Sequence, residues 1–326
     1  MADARRLADP AKCSCQGTKE GKRTMEKIWA TLARELADAT AEAGKSVVGI
    51  HGARHFSSGI VIAKDAVVAA DHAVRRDDEI TVVTAPGQTL AARVAGRDPG
   101  TDLAVLRLQA PVDAPAARWG STSGLRVGEL ALALARTRRG NVVASSGIIS
   151  GLINAPLRTW RGGEIDQFIR PDLTLYNGFS GGPLVNSQGE FLGMNTAGLH
   201  RSGITVPAST VSRVAAELLD KGRVERPYLG LGMQSVSVPE SLRGRLNLNA
   251  SEGLLLVHVE PDSPAEKAGL LLGDLLLTLD GQPMADTDSV QEALRKNKPG
   301  DRIEAGLVRG GALAKVTVQL AARPNR

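Results

Sequence analysis

Asn177-Gly178-Phe179-Ser180-Gly181-Gly182-Pro183-Leu184-Val185-Asn186 sets one serine among glycines, just ahead of an apolar run. Glycine permits backbone conformations that a side chain forbids. Such a turn exposes the Ser180 hydroxyl and lets backbone N–H groups converge where a tetrahedral oxyanion would form. Most Gly/Ser clusters are ordinary loops, so the reading needs partners. An unactivated serine is a poor nucleophile and requires an adjacent base.

The chain has five histidines. His51 and His55 flank a Gly/Ser-rich segment, His200 follows the serine, and His258 falls in a later apolar run. His72 differs, because it ends two short apolar runs joined by Lys64-Asp65. That pattern reads as a hairpin delivering Asp71-His72-Ala73-Val74 to its end. Taken alone, His72 also reads as a histidine satisfied at a strand end. Asp102 precedes the apolar run Leu103-Ala104-Val105-Leu106. A carboxylate at the mouth of a buried strand is costly unless paired. A histidine N–H would pair it, fixing the tautomer and stabilising the imidazolium formed during attack. The competing role is a turn aspartate capping its own backbone. Asp98, followed by Pro99-Gly100, fits that role better.

The order His72, Asp102, Ser180 is that of chymotrypsin-like proteases. Four segments then resemble the HtrA/DegP family: Ser58-Gly59-Ile60-Val61-Ile62, Asp71-His72-Ala73-Val74, Thr101-Asp102-Leu103-Ala104-Val105-Leu106 and Gly178-Phe179-Ser180-Gly181-Gly182-Pro183. Gly189-Glu190-Phe191-Leu192-Gly193-Met194-Asn195-Thr196-Ala197 and Gly203-Ile204-Thr205-Val206-Pro207-Ala208 are similar too. The resemblance implies Ser180 as nucleophile, His72 as general base then acid, and Asp102 as orienter. It implies an oxyanion hole from the N–H groups of Gly178 and Ser180, and a specificity-pocket wall at Asn195, Thr196 and Ala197. Three departures stand out. Phe179 replaces the family's Asn before the serine, Tyr176-Asn177-Gly178 stands where Asn-Pro-Gly is usual, and Ala135-Arg136-Thr137-Arg138-Arg139-Gly140 replaces a Gly-Asn-Pro turn.

Residues 228–322 resemble a PDZ domain. Tyr228-Leu229-Gly230-Leu231 matches the family's carboxylate-binding loop, the strand that follows would be extended by a peptide ligand, and the helix at 287–297 carries Val290 and Leu294 on one face. That face either lines a pocket for the ligand's terminal side chain or packs the core; at least one of the two is expected to line the pocket.

Size and composition agree with this organisation. The 326 residues suit two domains. Aromatics are only 3%, so the cores must be built from Val, Leu, Ile and Ala. Short β-type runs separated by Gly, Pro, Asp and Asn point to a mainly β fold. The resemblance makes it a chymotrypsin-like double β-barrel at 44–221 followed by an α+β PDZ domain at 228–322. Residues 1–24 read as a disordered tail and 25–43 as an amphipathic helix with Met25, Ile28, Trp29, Leu32 and Leu36 on one stripe. That stripe packs on the chain's own protease domain or joins subunits, since the resemblance implies a homotrimer.

The net charge is +5, but basic residues are scattered apart from the tail and Arg136-Thr137-Arg138-Arg139. No aromatic-and-basic ladder suited to stacking bases is present, so no nucleic-acid partner is expected and that segment reads as a solvated loop or an acidic-peptide contact. Cys13-Ser14-Cys15 supplies too few ligands for a metal and no spaced pairs for a disulfide framework. No cofactor is expected. No secretory signal or membrane span is evident, so the chain reads as cytoplasmic, with a bacterial envelope location as the alternative.

The expected function is ATP-independent serine endopeptidase action on unfolded or damaged polypeptides, with cleavage after small or medium apolar side chains and C-terminal or internal peptides bound at the PDZ domain. The rivals are a non-hydrolytic holdase and a PDZ adaptor on the same scaffold.

Overall fold

A computed structural model describes residues 19–323 except 53–54, 75–79, 85–86, 156, 160–162 and 201–202. Cys13, Cys15 and the first 18 residues of the expected tail lie outside the described residues. The chain divides into two compact units, Met1–Val224 and Glu225–Arg326.

The first unit begins with helix α1 (Lys19–Gly44), which starts ahead of the expected residue 25. Its C-terminal half supplies Ala39 and Ala43 to the core, with Leu36 packed beside them, while Ile28 and Trp29 on the same helix are exposed. β1 (Val47–His51) then pairs with β2 (Phe56–Ala63), and the Lys64-Asp65 turn returns the chain as β3 (Ala66–Ala70). β4 (Ile80–Val83), β5 (Thr89–Asp98) and β6 (Leu103–Leu108) complete a closed barrel in the order β1-β2-β3-β6-β5-β4. Small β-branched and aliphatic residues fill it, among them Val48, Val61, Val67, Val82 and Leu106. This interior burial is what the scarcity of aromatics demands.

A second closed barrel follows. Its strands are β7 (Leu130–Arg136), β8 (Val142–Ile153), β9 (Phe168–Asp172), β10 (Pro183–Val185), β11 (Phe191–Thr196) and β12 (Ile204–Pro207). They are ordered β9-β12-β11-β10-β7-β8, and β8 closes on β9 through Phe168 opposite Ile153. Helix α2 (Ala208–Lys221) buries Val211, Val214, Ala215 and Leu218 in the core and ends at Gly222, whose φ of 71° supplies the left-handed cap.

The second unit carries a sheet ordered β13 (Leu231–Ser237), β14 (Glu252–Val259), β15 (Leu275–Leu279), β16 (Arg302–Arg309) and β17 (Ala312–Gln319). β13 is therefore an edge strand, with β14 on one side only. Three helices accompany it, α3 (Glu240–Leu246), α4 (Pro264–Lys267) and α5 (Thr287–Arg295). Asp286 caps α5 by accepting from the Ser289 N–H at 2.7 Å.

Arg136 departs from the solvated-loop expectation. Only 1% exposed, it ends β7 with its guanidinium donating to the carbonyls of Gly44, Val47 and Gly140. Its strand position turns it inward, and the carbonyl at the end of α1 is a favourable partner for a cation. Burial still pulls the guanidinium below its ordinary range.

Candidate active site

The three residues picked from sequence arrive from three turns. The end of β3 tightens into a 3₁₀ turn, Asp71–Ala73, which carries His72. The β5–β6 turn carries Asp102, and the turn before β10 carries Ser180. Pairing of β3 with β6 places Ala70 opposite Leu103, so the two flanking turns lie side by side. The Asp71 N–H donates to the Asp102 carbonyl at 3.0 Å.

Asp102 grips His72 twice. Its Oδ1 accepts from the His72 backbone N–H at 2.8 Å, and its Oδ2 lies 2.7 Å from Nδ1. A third donor, Thr196 Oγ1, also reaches Oδ2. Asp102 is 1% exposed, so burial demands these partners. It also sits at φ 56°, a left-handed conformation that aspartate tolerates better than branched residues do. A carboxylate on Nδ1 favours the tautomer with its proton there, which leaves Nε2 with a lone pair.

The serine turn is held by its own backbone. Gly178 adopts φ 95° and Gly181 φ 85°. Phe179 N–H donates to Tyr176 O, and Gly182 N–H donates to Phe179 O, both at 3.0 Å. Gly181 N–H donates to Asn195 O at 2.9 Å, tying the turn to β11. Ser180 Oγ accepts from the Ala197 N–H at 3.3 Å. The Phe179 side chain is buried in the second barrel's core at 3% exposure, edge-on to Tyr176. The aromatic departure thus fills the core instead of blocking the turn. Beneath Gly178 lies Phe56, and a Cβ at 178 would meet its ring at 2.7 Å. Phe56 in turn stands edge-on to His51, with Arg138 over its face at 5.5 Å.

The expected pocket wall needs correction. Asn195 and Thr196 are fully buried, and their side chains serve the interior. Asn195 Oδ1 accepts from Thr205 Oγ1 at 2.8 Å, while Thr196 supports Asp102. Of the three expected residues only Ala197 is exposed. Sequence reasoning missed Gly198, where a Cβ would lie 2.6 Å from both His72 Nδ1 and Asp102 Oδ2. It also missed Arg97, which pairs with Asp71. The flanking Asn195-Thr196-Ala197 motif was the only signal for Gly198.

In the second unit, Leu229 (4%), Val290 (1%) and Leu294 (6%) all belong to the hydrophobic core, so neither α5 residue lines an open pocket. Core volume claims them because α5 must cover the sheet with its one apolar face. Tyr228 Oη donates to Glu260 at 2.9 Å, Leu231 is half-buried, and Gly230 takes φ 83° with Ser263 Cβ 2.2 Å from where its own Cβ would be. Among the described residues no group of three or more His, Cys, Asp or Glu could hold a metal ion.

Residues 57–194 match the model of the trypsin-like peptidase domain, and residues 227–320 match that of the PDZ domain. A probable periplasmic serine endoprotease DegP-like from Brucella suis is 33% identical over 277 residues, covering 82% of this chain and 53% of the relative. The serine protease Do-like HtrA of Lactobacillus helveticus is 31% identical over 271 residues, covering 79% and 65%. The chain is of the HtrA type, a trypsin-like peptidase domain followed by a PDZ domain. Among solved structures, the HtrA-type protease AlgW with decapeptide superposes with a TM-score of 0.70 at 25% identity, covering 89% of this chain and 99% of that one. The serine endoprotease from Yersinia pestis gives 0.69 at 26% identity, covering 89% and 98%. This HtrA-type chain spans about half the length of the DegP-like relatives it matches.

The relatives also overturn the cytoplasmic expectation, since they are named periplasmic endoproteases and point to the periplasm instead. The expectation rested on the absence of an apolar run among residues 1–24, which does not set the compartment. No helix among the described residues is long and apolar enough to cross a membrane.

Proposed function

We propose that this chain is a serine endopeptidase that cleaves extended segments of unfolded or damaged polypeptides and holds peptides at its PDZ domain. The observation that carries the reading is the double grip of buried Asp102 on His72, 2.8 Å to the backbone and 2.7 Å to Nδ1. A carboxylate so placed has the geometry to hold one imidazole tautomer and to stabilise its protonated form. In this reading His72 Nε2 takes the Ser180 proton, Ser180 Oγ attacks the scissile carbonyl, and the N–H groups of Gly178 and Ser180 receive the oxyanion. His72 then returns the proton to the leaving amine.

Backbone of the Ala197 segment lies beside Ser180, and no charged side chain occurs from Asn195 to Gly198. This supports preference for small or medium apolar residues before the scissile bond. The free edge of β13 supports peptide binding by strand addition. A second, tethered grip raises effective concentration at the first. Exposed Ile28 (57%) and Trp29 (63%) support self-association through α1, with a homotrimer as the expected form. Light scattering of wild type and Trp29→Glu tests the last point.

Casein digestion and fluorophosphonate labelling of wild type against Ser180→Ala test the central reading. Loss of the nucleophile of a comparable triad costs on the order of 10⁶ in turnover. Equal, near-zero cleavage and labelling of both proteins would discard it.

A further inference from the structure

We infer that Ser58, outside the proposed triad, is a positioning residue that sets the shape of the oxyanion-forming turn. The inference rests on the endopeptidase reading and names a residue on which that chemistry depends.

Ser58 is fully buried in β2. Its Oγ donates to the Gly178 carbonyl at 2.7 Å, and its backbone N–H donates to the Ser180 carbonyl at 3.1 Å. One residue therefore holds the carbonyls of both residues whose N–H groups would receive the oxyanion. The direction of the first bond is fixed. Ser58 Oγ also accepts from the Arg136 backbone N–H at 3.0 Å, and a backbone N–H only donates. The single hydroxyl proton is left for Gly178.

Two peptide planes separate the Gly178 and Ser180 N–H groups, and each plane is rigid. The first is held by Ser58 on its carbonyl and by Tyr176 O on its N–H; the second is held on its carbonyl by the Gly182 N–H. Gly178 has a glycine's torsional freedom at φ 95°, so without the Ser58 hydroxyl the first plane loses a restraint that its own residue cannot supply. Its carbonyl would also be a part-buried acceptor without its present donor. The fit is close on the other side as well, since a Cβ at Gly181 would fall 2.0 Å from Ser58 O. Arg136 in turn is fixed by its guanidinium on Gly44, Val47 and Gly140, so the last carbonyl of α1 and the Gly178 carbonyl are joined through one residue pair.

The test compares wild type, Ser58→Ala and Ser58→Thr, each normalised by fluorophosphonate titration of Ser180 and melted thermally. Removing the hydroxyl that holds this carbonyl predicts that Ser58→Ala loses about 10- to 100-fold in kcat per titrated site. KM should stay within about twofold of wild type, because substrate binding uses other edges. Ser58→Thr, which restores the hydroxyl, should recover most of the loss. Hydrogen exchange should quicken at residues 178–180 in Ser58→Ala and stay unchanged in β5 and β6. Arg136→Lys should lower kcat without adding to the Ser58→Ala effect. Wild-type kcat per site in Ser58→Ala overturns the inference. So does a loss that threonine fails to restore and that accompanies faster exchange through both barrels. Should wild type neither label nor cleave, the endopeptidase reading itself falls, an outcome distinct from either of these.

Discussion

Arg97 Nε meets Asp71 Oδ1 at 2.5 Å, and the same guanidinium donates to the Asp71 carbonyl at 2.8 Å and to the carbonyl of Val74. The 3₁₀ turn that carries His72 is thus stapled at both ends by one side chain from β5. Asp71 is 5% exposed, so the Arg97 guanidinium is a close counter-charge to a buried carboxylate. Arg97→Ala should lower unfolding stability by about 1–3 kcal/mol and reduce turnover, because it removes charge-assisted bonds from a buried carboxylate and from two carbonyls of the His72 turn. Arg97→Ala combined with Asp71→Asn should recover part of the stability. Denaturant melts of the two single variants and the double variant measure the coupling.

Gly198 has no room for a methyl group on the side facing the imidazole–carboxylate pair, where the nearest atoms are 2.6 Å from an ideal Cβ. Its own position is exposed, so the substitution displaces His72 and Asp102 rather than a core. Gly198→Ala should cut kcat by about 100-fold, the scale on which misplacing a reacting group by about 1 Å acts, with little change in melting temperature. Turnover and melting measured on the same preparation check this.

Phe179 anchors the serine turn from below, at 3% exposure in the second barrel. Phe179→Ala should cost about 3–5 kcal/mol through the cavity it leaves. Phe179→Leu should cost less and retain more activity. Urea melts with peptide turnover distinguish packing from chemistry.

Asp274 contributes to the acid sensitivity of the second unit. Its burial pushes the carboxyl up, but two Arg309 bonds at 2.8 and 2.7 Å and the Leu271 N–H outweigh this and hold it below the ordinary range. The unfolded chain therefore takes up this proton at a higher pH than the folded one. The stabilisation is present above about pH 4, the unfolded value, and is lost as pH falls through the folded value. The unfolding transition of this unit should weaken as the pH falls below about 4, and Asp274→Asn should flatten that dependence. Thermal melts across the range provide the check.

The proposed triad was legible because each member carries local chemistry that a sequence displays. Ser180 has its glycines, His72 its hairpin, and Asp102 its place before an uncharged strand. The double barrel followed from resemblance, with periodicity giving only a β-rich domain. Thr196, Gly198, Arg97 and Ser58 were hidden for a common reason. Their roles arise from pairings across strands distant in the chain, and nothing nearby in sequence marks the partner. Val290 and Leu294 misled because one apolar stripe serves equally for a groove or a core, and the packing of α5 on the sheet decides. Arg136 misled in the opposite sense, since a cluster of arginines reads as solvated until three carbonyls close around one of them.

The left-handed backbone at Asp102 has a further consequence. Asparagine is the other residue at ease in that posture, and it matches aspartate in size. A single base-pair change would therefore remove the carboxylate charge beside His72 while leaving the architecture almost untouched, so folded abundance and the proposed chemistry would be inherited separately.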